Sequence, residues 1–538
     1  MPAGGGVVVS AGERIDADVC VIGAGAGGAV AAAELAEGGA RVVVLEQGPH
    51  HDPDGFTARP LQMMARLYRD GGQTLTLGNP PILLPLGRGL GGTTLVNSGT
   101  CFRTPARVLE RWRANHGLEL DGDALDSCFA RVETALSVAE VTPELAGANA
   151  AVARRGAERL GWSHGYLKRN AKGCVGSGVC AFGCPTSAKQ HTGITYIPRA
   201  RAAGARILTG ADVRRVVVGA GRSHSVEAVC GERLEVRAPT VVIACGTIHT
   251  PALLAQSSLG GASGQLGRNL VLHPATAAFA LMDETVDMAR GVPQSFYVDE
   301  FAHEGIMFES VAGPPAYAAL SLPLTGERHR AAMAAYRRLA QFGVMVSDSS
   351  RGHLPALGGG THGGWQSGGT PPRLGARLHA RNPLIRYDLV DDDLAKFRAG
   401  LVRLRELFHA AGAREVYLPL PCGVAPERAR ARDLKLMAFH PLGTARADAD
   451  PASGVLDPDL RVHGVEGVYV ADGSAIPSSL GVNPQITIMA LATRLAYHLL
   501  GRVVPDTPVG DSPSARIVAR GPVPAGDTPT NEEAGCRS

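Results

Sequence analysis

The 538-residue chain lacks three features: a strong excess of charge of one sign, a long apolar run, and a dense set of cysteines. Its 53 Lys and Arg against 50 Asp and Glu leave a net charge of +3, which gives no attraction toward nucleic acid or an anionic membrane. Apolar runs are interrupted before about 18 residues, at His249 or Arg494 for example, so we predict no integral membrane segment. The 10 cysteines are too sparse for a disulfide scaffold in a chain of this length.

Both ends of the sequence differ from the part between them. The N-terminal stretch has neither the charged flank and apolar core of a secretory signal nor paired arginines, so we expect a cytoplasmic protein with residues 1–15 flexible. Residues 503–538 are rich in Pro, Gly, Ser and Thr without periodicity, which predicts a disordered tail. With 45% hydrophobic and 19% charged residues, the composition is typical of soluble globular proteins.

A βαβ unit is predicted at the start of the globular part. The run Asp18–Gly23 is short, apolar and followed by glycines, which is typical of a buried parallel strand. Ala29–Ala36 is rich in alanine and predicts a helix, and Arg41–Leu45 predicts the second strand. This pattern favours an α/β fold with a parallel sheet.

Three glycines between the first strand and the helix follow the pattern G-x-G-x-x-G. Because Gly23, Gly25 and Gly28 lack side chains, backbone amides can approach a diphosphate at the helix N-terminus. Glu46 ends the second strand, where its carboxylate can accept hydrogen bonds from an adenosine ribose. The alternative is a tight turn in a chain rich in alanine and glycine. Strand, helix and acidic residue all have suitable positions, so we predict dinucleotide binding, which this motif leaves open between NAD and FAD.

Two later apolar runs, Thr240–Ala244 and Gly467–Val470, predict further strands of the same sheet. Strands so far apart in the sequence imply a cofactor domain that is interleaved with other segments. The predicted parts are a Rossmann-like cofactor domain from 16–105, 190–274 and 436–502, a helical and Cys-rich connection at 106–189, and an α+β substrate-binding domain at 275–435.

Three stretches are distinctive in the predicted substrate-binding domain. Ala331–Gln341 and Asp392–Ala411 have the apolar spacing of amphipathic helices. Leu357–Thr370 is rich in glycine, which predicts a mobile loop or active-site lid between them.

A second glycine-dense loop follows the βαβ unit. Its position suits a segment that lies along an extended, permanently bound cofactor, and the alternative is an ordinary surface loop. The candidate cofactor contacts in this loop are Gly87, Gly91, Gly92, Thr93 and Asn97.

These motifs resemble those of the glucose-methanol-choline oxidoreductases. The loop Gly87–Asn97 is similar to the first signature of that family, and Gly246–Gly260 is similar to the second, with Ser258 in place of the usual glycine. Leu266–Pro274 and Val468–Pro477 also resemble family segments. The resemblance implies FAD as the cofactor and a two-domain fold. It also implies further cofactor contacts at Val213, Asp472, Gly473 and Pro484.

His440 and Asn483 carry the predicted chemistry. An alcohol loses a proton from oxygen and a hydride from carbon, and His440 suits the base because imidazole titrates near neutrality. Asn483 can donate its amide N–H to the developing alkoxide without adding charge. The stretches around both residues resemble cholesterol oxidases, which pair a histidine with an asparagine.

Each of these assignments has a structural alternative. His440 also fits a packed histidine in a turn before Pro441, and Asn483 also fits a helix N-cap. A helix that begins at Pro484 would direct its positive end toward the flavin, where it would stabilise the anionic reduced form. His273 lies at another His-Pro pair and is predicted to be structural or close to the cofactor.

Three cysteines are crowded into one short segment. Cys174, Cys180 and Cys184 are followed by a proline and resemble a ferredoxin run in which Ser177 replaces a cysteine, so an iron–sulfur cluster is one hypothesis. Buried thiols or a single disulfide are the alternative. The segment also resembles one in long-chain fatty alcohol oxidases. A cluster would pass electrons to a redox partner, whereas without one oxygen could reoxidise the flavin.

The leading hypothesis is an FAD-dependent alcohol oxidoreductase in which His440 takes the hydroxyl proton, Asn483 positions the oxygen and flavin N5 accepts the hydride. Resemblance to two lipid-alcohol branches favours a hydrophobic primary alcohol or sterol as the substrate, with oxygen or a redox acceptor as the second partner. The alternatives are a sugar, polyol or specialised-metabolite dehydrogenase with a three-iron cluster, an FAD-containing lyase without net redox change, and a flavin electron carrier.

Overall fold

The computed structural model describes residues 12–120, 122–219, 223–355 and 383–505. The predicted loop Leu357–Thr370 lies outside these residues, as does nearly all of the predicted C-terminal tail. A strand begins at Glu13, inside the N-terminal segment that was expected to be flexible. None of the described helices combines the length and the apolar character needed to span a bilayer.

The strands follow one another along the whole described chain. They are β1 (Glu13–Asp16), β2 (Val19–Ile22), β3 (Val42–Glu46), β4 (Ile82–Leu83), β5 (Val138–Glu140), β6 (His164–Tyr166), β7 (Lys168–Asn170), β8 (Arg206–Thr209), β9 (Asp212–Val217), β10 (His224–Cys230), β11 (Glu232–Ala238), β12 (Thr240–Ile243), β13 (Ala275–Leu281), β14 (Phe296–Val298), β15 (Ile306–Ser310), β16 (Leu339–Val346), β17 (Glu415–Tyr417), β18 (Leu436–Met437) and β19 (Val468–Val470).

The helices lie between and after these strands. They are α1 (Ala26–Glu37), α2 (Pro60–Leu67), α3 (Ala106–His116), α4 (Gly122–Ala135), α5 (Pro143–Leu160), α6 (Tyr196–Ala202), α7 (Thr250–Gln256), α8 (Pro315–Ser321), α9 (Gly326–Ala334), α10 (Asp391–Ala410) and α11 (Gln485–Leu500).

A five-stranded parallel sheet has the order β19-β12-β2-β3-β8. Two of its central strands, β2 and β3, consist of Val, Ile, Leu and Cys apart from Glu46 at the end of β3, and are buried along their whole length, as expected of strands covered on both faces. The four predicted strands and the helix between the first two are confirmed, although that helix begins at Ala26 rather than Ala29. The edge strand β8 was not predicted, because its outer residues are only half-buried and its apolar part is very short.

A second, larger sheet runs in the order β4-β18-β13-β16-β15-β14-β6, with β17 paired to β13. The helices α5 and α10 pack against it and share its apolar core. The predicted helix at Asp392–Ala411 is confirmed within one residue, but the one predicted at Ala331–Gln341 is wrong beyond Ala334. All eight residues of β16 are buried, so Leu339 and Ala340 at the end of the predicted helix belong instead to a central strand.

Two smaller sheets complete the described fold. One has the order β1-β11-β10-β9 and the other joins β5 to β7. The predicted α/β architecture, a Rossmann-like cofactor part combined with a substrate part, is confirmed. Because the parallel strands end at the cleft described next, their carboxyl-terminal loops can provide its walls.

Candidate active site

A cleft with about 1670 Å³ of empty space, partly open to solvent, lies at the carboxyl ends of the parallel strands. Most of the predicted cofactor contacts line it: Gly23, Gly25, Glu46, Gly87, Gly92, Thr93, Val213, Asp472, Gly473 and Pro484. The predicted catalytic residues His440 and Asn483 line the same cleft. Gly28, Gly91 and Asn97 are not among its lining residues and lie behind them.

The two glycine-dense loops meet where α1 begins. A Cβ atom on Gly92 would come within 2.8 Å of the Gly25 Cα atom, so the backbones touch there without side chains between them. A Cβ atom on Gly28 would lie 2.0 Å from the carbonyl oxygen of Gly23, which explains the third glycine of the motif. The first amides of a helix have no intrahelical partner, so this narrow place fits the diphosphate of a dinucleotide.

Glu46 is buried and both of its carboxylate oxygens accept backbone hydrogen bonds. The amide of Ala24 donates at 2.9 Å and the amide of Gly48 at 2.6 Å. Burial raises the pKa of Glu46, while these hydrogen bonds and the charges of Arg69 and Arg88 oppose the shift. Each oxygen keeps a further acceptor position, so the geometry is compatible with the predicted ribose contact.

Asp472 connects the loop after β19 to the segment that leads into α7. Its carboxylate accepts the amide of Gly246 at 2.8 Å and the Thr250 hydroxyl at 2.5 Å. The amide and hydroxyl of Ser474 donate to its other oxygen at 2.8 and 2.6 Å. The bonds from Gly246 and Thr250 hold two walls of the cleft together, and those from Ser474 fix the loop itself, although burial raises the pKa of Asp472.

A polar wall that the sequence analysis missed lies near Glu46. Arg69 lines the cleft and donates to the Gln47 side chain at 2.8 Å, and Gln47 donates to Asp212 at 3.1 Å. Burial lowers the pKa of the Arg69 guanidinium, which lacks a direct carboxylate partner in the described part of the chain. A diphosphate would supply the missing negative charge. No local motif marks Arg69, since only the fold brings it here.

The structure brings His440 and Asn483 together from two separate segments. The Nδ2 atom of Asn483 lies 3.3 Å from Nε2 of His440. Part of the His440 side chain faces the cleft, but its Nδ1 atom is buried and makes no hydrogen bond to the described residues. Burial lowers the pKa of His440 to about 3, with a smaller contribution from His273. The imidazole is therefore neutral near pH 7. A proton that Nε2 accepts can stay there only transiently.

Asn483 does not act as a helix cap. Pro484 occupies the N-cap position of α11, and no side chain caps this helix. The Asn483 side chain points instead to His440, and its Oδ1 atom is buried without a hydrogen-bond partner in the described structure. An amide with a free oxygen beside a neutral imidazole can bind a hydroxyl group as both donor and acceptor.

Glu309, on β15, is a second residue that the sequence analysis missed. It is 5% exposed, and its Oε2 atom accepts a hydrogen bond of 2.7 Å from Gln294. Burial raises the pKa of Glu309 to about 7, while nearby Asn483 and Gln294 favour the charged form. No hydrogen bond with the usual distance and angle joins Glu309 to Asn483. The Oε1 atom of Glu309 has no hydrogen-bond partner among the described residues. A carboxyl group that titrates near neutrality therefore lies next to Asn483, one of the two predicted catalytic residues.

His273 has a structural role. Its Nε2 atom accepts the amides of Leu480 and Gly481 at 2.8 and 3.0 Å, just ahead of Asn483. The carboxylate of Asp348 holds the backbone amide of His273 at 3.1 Å. Burial lowers the pKa of His273, so it stays neutral and accepts these bonds. The imidazole thus fixes the segment that presents Asn483.

The predicted iron–sulfur cluster is not supported. Cys174, Cys180 and Cys184 are free thiols, the last two buried. Within the described residues, no group of three or more His, Cys, Asp and Glu side chains is arranged to hold a metal ion.

Comparison with known proteins places the chain among flavin oxidoreductases. Two GMC oxidoreductase family models match residues 64–275 and 376–492, and a model of an NAD(P)-binding Rossmann-like domain matches residues 21–59. An uncharacterized GMC-type oxidoreductase of Mycobacterium tuberculosis is 41% identical over 505 residues, which cover 91% of this chain and 76% of that protein.

A long-chain-alcohol oxidase of Arabidopsis thaliana is 28% identical over 543 residues, with 92% of this chain and 69% of that protein covered. Among solved structures, pyridoxine 4-oxidase from Mesorbium loti is similar with a TM-score of 0.68 at 19% identity, covering 89% of this chain and 98% of that one. At this identity the structural match supports the fold alone.

Proposed function

Since the chain belongs to the glucose-methanol-choline (GMC) oxidoreductase family, and so is an FAD-dependent oxidoreductase acting on CH–OH donors, we propose that His440 and Asn483 bind and deprotonate a hydrophobic primary alcohol. The observation that carries this proposal is the 3.3 Å approach of His440 Nε2 and Asn483 Nδ2 at the wall of the cofactor cleft. Two such groups can both form hydrogen bonds with a single hydroxyl group.

In the proposed reaction, the Nε2 atom of neutral His440 accepts the hydroxyl proton while the Asn483 amide donates to the oxygen as negative charge develops there. FAD, when bound, supplies the acceptor for the hydride that leaves the carbon. Because burial strongly disfavours the His440 cation, the accepted proton needs a nearby negative charge. We infer that ionised Glu309, which neighbours the Asn483 side chain, provides that charge.

Two observations support a hydrophobic substrate. The similarity to a plant long-chain-alcohol oxidase covers nearly the whole described chain. In addition, the Phe439 side chain lines the cleft directly beside His440 and is 45% exposed, an apolar surface that an alkyl chain can cover. Either oxygen or a separate redox acceptor would serve as the second partner of this reaction.

The test is the anaerobic visible spectrum of the purified flavoprotein, mixed in turn with dodecanol, cholesterol and glucose. Loss of the oxidised flavin band with dodecanol alone is the expected result. Bleaching by glucose alone would overturn the hydrophobic assignment, and an oxidised flavin with every alcohol would favour a lyase. Admitting air to the bleached sample and measuring hydrogen peroxide then separates oxidase from dehydrogenase activity.

A further inference from the structure

Lys189 lies in the interior directly behind the second glycine loop. It is 2% exposed, and its ammonium group donates three hydrogen bonds to backbone carbonyls. The acceptors are Leu95 at 2.8 Å, Asn97 at 2.7 Å and Cys180 at 2.8 Å. The three donors of one buried lysine thus join the cofactor loop to the cysteine-rich segment.

A second buried cation reinforces the same loop. Arg169, also 2% exposed, donates through Nη2 to the carbonyl oxygen of Ser98 and to the Cys180 sulfur, the latter at 3.3 Å. Within the four consecutive residues 95–98, three backbone carbonyls therefore accept hydrogen bonds from these two buried cations.

Neither cation forms a salt bridge with a carboxylate in the ranges that the structure covers. The ionisable groups around Lys189 are Cys180, Cys184 and Arg169, and burial lowers the pKa of Lys189 to about 8. The Cys184 sulfur lies 3.5 Å from the Thr186 hydroxyl oxygen. Burial raises the pKa of the Cys184 thiol, but hydrogen bonding from Thr186 and Lys189 outweighs it and lowers this pKa overall. Burying two cations without a carboxylate is unfavourable, so this arrangement calls for a function.

The loop that these cations hold leads straight to the catalytic end of the cleft. The Asn97 side chain donates a hydrogen bond to Gln485, the first residue of α11. Gln485 lines the cleft two positions after Asn483. A displacement of residues 95–98 would therefore change the surroundings of the cofactor and the position of the proposed catalytic pair.

We propose that Lys189 and Arg169 form a cation clamp that fixes residues 95–98, which directly follow the cleft-lining Thr93 and Thr94, and makes the electrostatic potential at the cofactor more positive. The cysteine-rich segment provides two acceptors of this clamp, the carbonyl oxygen and the sulfur of Cys180, in place of a metal site. The two residues are positioning residues, since neither lines the cleft. The inference rests on the FAD site of the proposed function and is independent of which alcohol is oxidised.

Lys189→Met tests the clamp, because methionine keeps most of the side-chain length and removes the charge and the donors. We expect FAD to bind about tenfold more weakly or worse, and the midpoint potential of the bound flavin to become more negative. Lys172→Met, at an exposed lysine of the same segment, is the matched control and should change neither quantity. Unchanged FAD affinity and potential in folded Lys189→Met would overturn the proposal.

If Lys189→Met does not fold, Arg169→Lys and Arg169→Met provide the same comparison. Lysine keeps the charge and should keep the potential near that of the wild type, whereas methionine should shift it in the negative direction. Equal potentials in both variants would also refute the clamp. These readouts need no substrate, so they remain informative if every alcohol fails to reduce the flavin and the substrate assignment is wrong.

Discussion

At the residue scale, the proposed chemistry depends on one contact between His440 and Asn483. His440→Ala removes the proton acceptor, so we expect retained flavin but about 10³-fold slower reduction by the alcohol. Asn483→Ala removes one donor to the oxygen and is expected to slow reduction by about 10²-fold. Anaerobic stopped-flow measurement of flavin absorbance checks both.

His303→Ala is a suitable control for these variants, since that side chain is 75% exposed and remote from the cleft lining. It should reduce at the wild-type rate. Reduction of His440→Ala at the wild-type rate would contradict the proposed base.

The pKa of Glu309 predicts the pH dependence of the same step. Burial raises this pKa to about 7, so the carboxyl group is neutral below that pH and becomes charged as the pH rises through it. In the proposed mechanism the charged form stabilises the proton on His440, and we therefore expect the flavin reduction rate to increase from pH 6 to about pH 8. His440, with its pKa near 3, contributes no transition in this range.

Glu309→Gln isolates this effect because glutamine has the same shape without a titratable proton. The variant should show a slower rate that no longer changes around pH 7, with its flavin content preserved. A transition near pH 7 that survives in Glu309→Gln would assign the titration to another group.

At the scale of elements, α1 has to approach the loop after β19 more closely than a side chain permits. A Cβ atom on Gly27 would lie 1.8 Å from the carbonyl oxygen of Ala471. We expect Gly27→Ala to lower the free energy of unfolding by about 1–3 kcal/mol and to weaken FAD retention, because the helix must move away. Thermal melting and the flavin-to-protein absorbance ratio measure these effects.

Gly261→Ala is the matched control, because no atom lies within 4 Å of the added methyl group. It should melt within a degree or so of the wild type. A Gly27→Ala protein that is as stable as the wild type and keeps its full flavin content would show that α1 can shift without a loss of free energy of unfolding.

Short central strands and amphipathic helices were not equally predictable. α10 has three acidic residues in its first turn and an apolar face, both readable from the sequence. The stretch Leu339–Val346 is apolar throughout, and its strand conformation depends on pairing with β13 and β15 on either side. Periodicity alone does not distinguish such a strand from a buried helix.

At the scale of the whole molecule, the cofactor cleft is built from segments that lie hundreds of residues apart. Bound FAD contacts these segments together only in the folded state, so it should stabilise the fold by about 2.7 kcal/mol at a free concentration 100 times the dissociation constant. We expect the melting temperature of flavin-depleted protein to rise steadily as FAD is added, as calorimetry can measure. A melting temperature insensitive to FAD would contradict a cofactor site in this cleft.

The sequence by itself determined the βαβ unit, the glycine motifs, the parallel sheet and the candidate pair His440 and Asn483, because each depends on short-range patterns or family motifs. Only the tertiary structure revealed the surroundings of Arg69 and Glu309 and the shared hydrogen-bond acceptors of Lys189 and Arg169. These residues carry no local motif, and their roles arise from burial and from neighbours distant in the sequence. The cysteine spacing suggested a metal site, but side-chain placement in the described structure does not form one, since ligand geometry depends on how the segment folds.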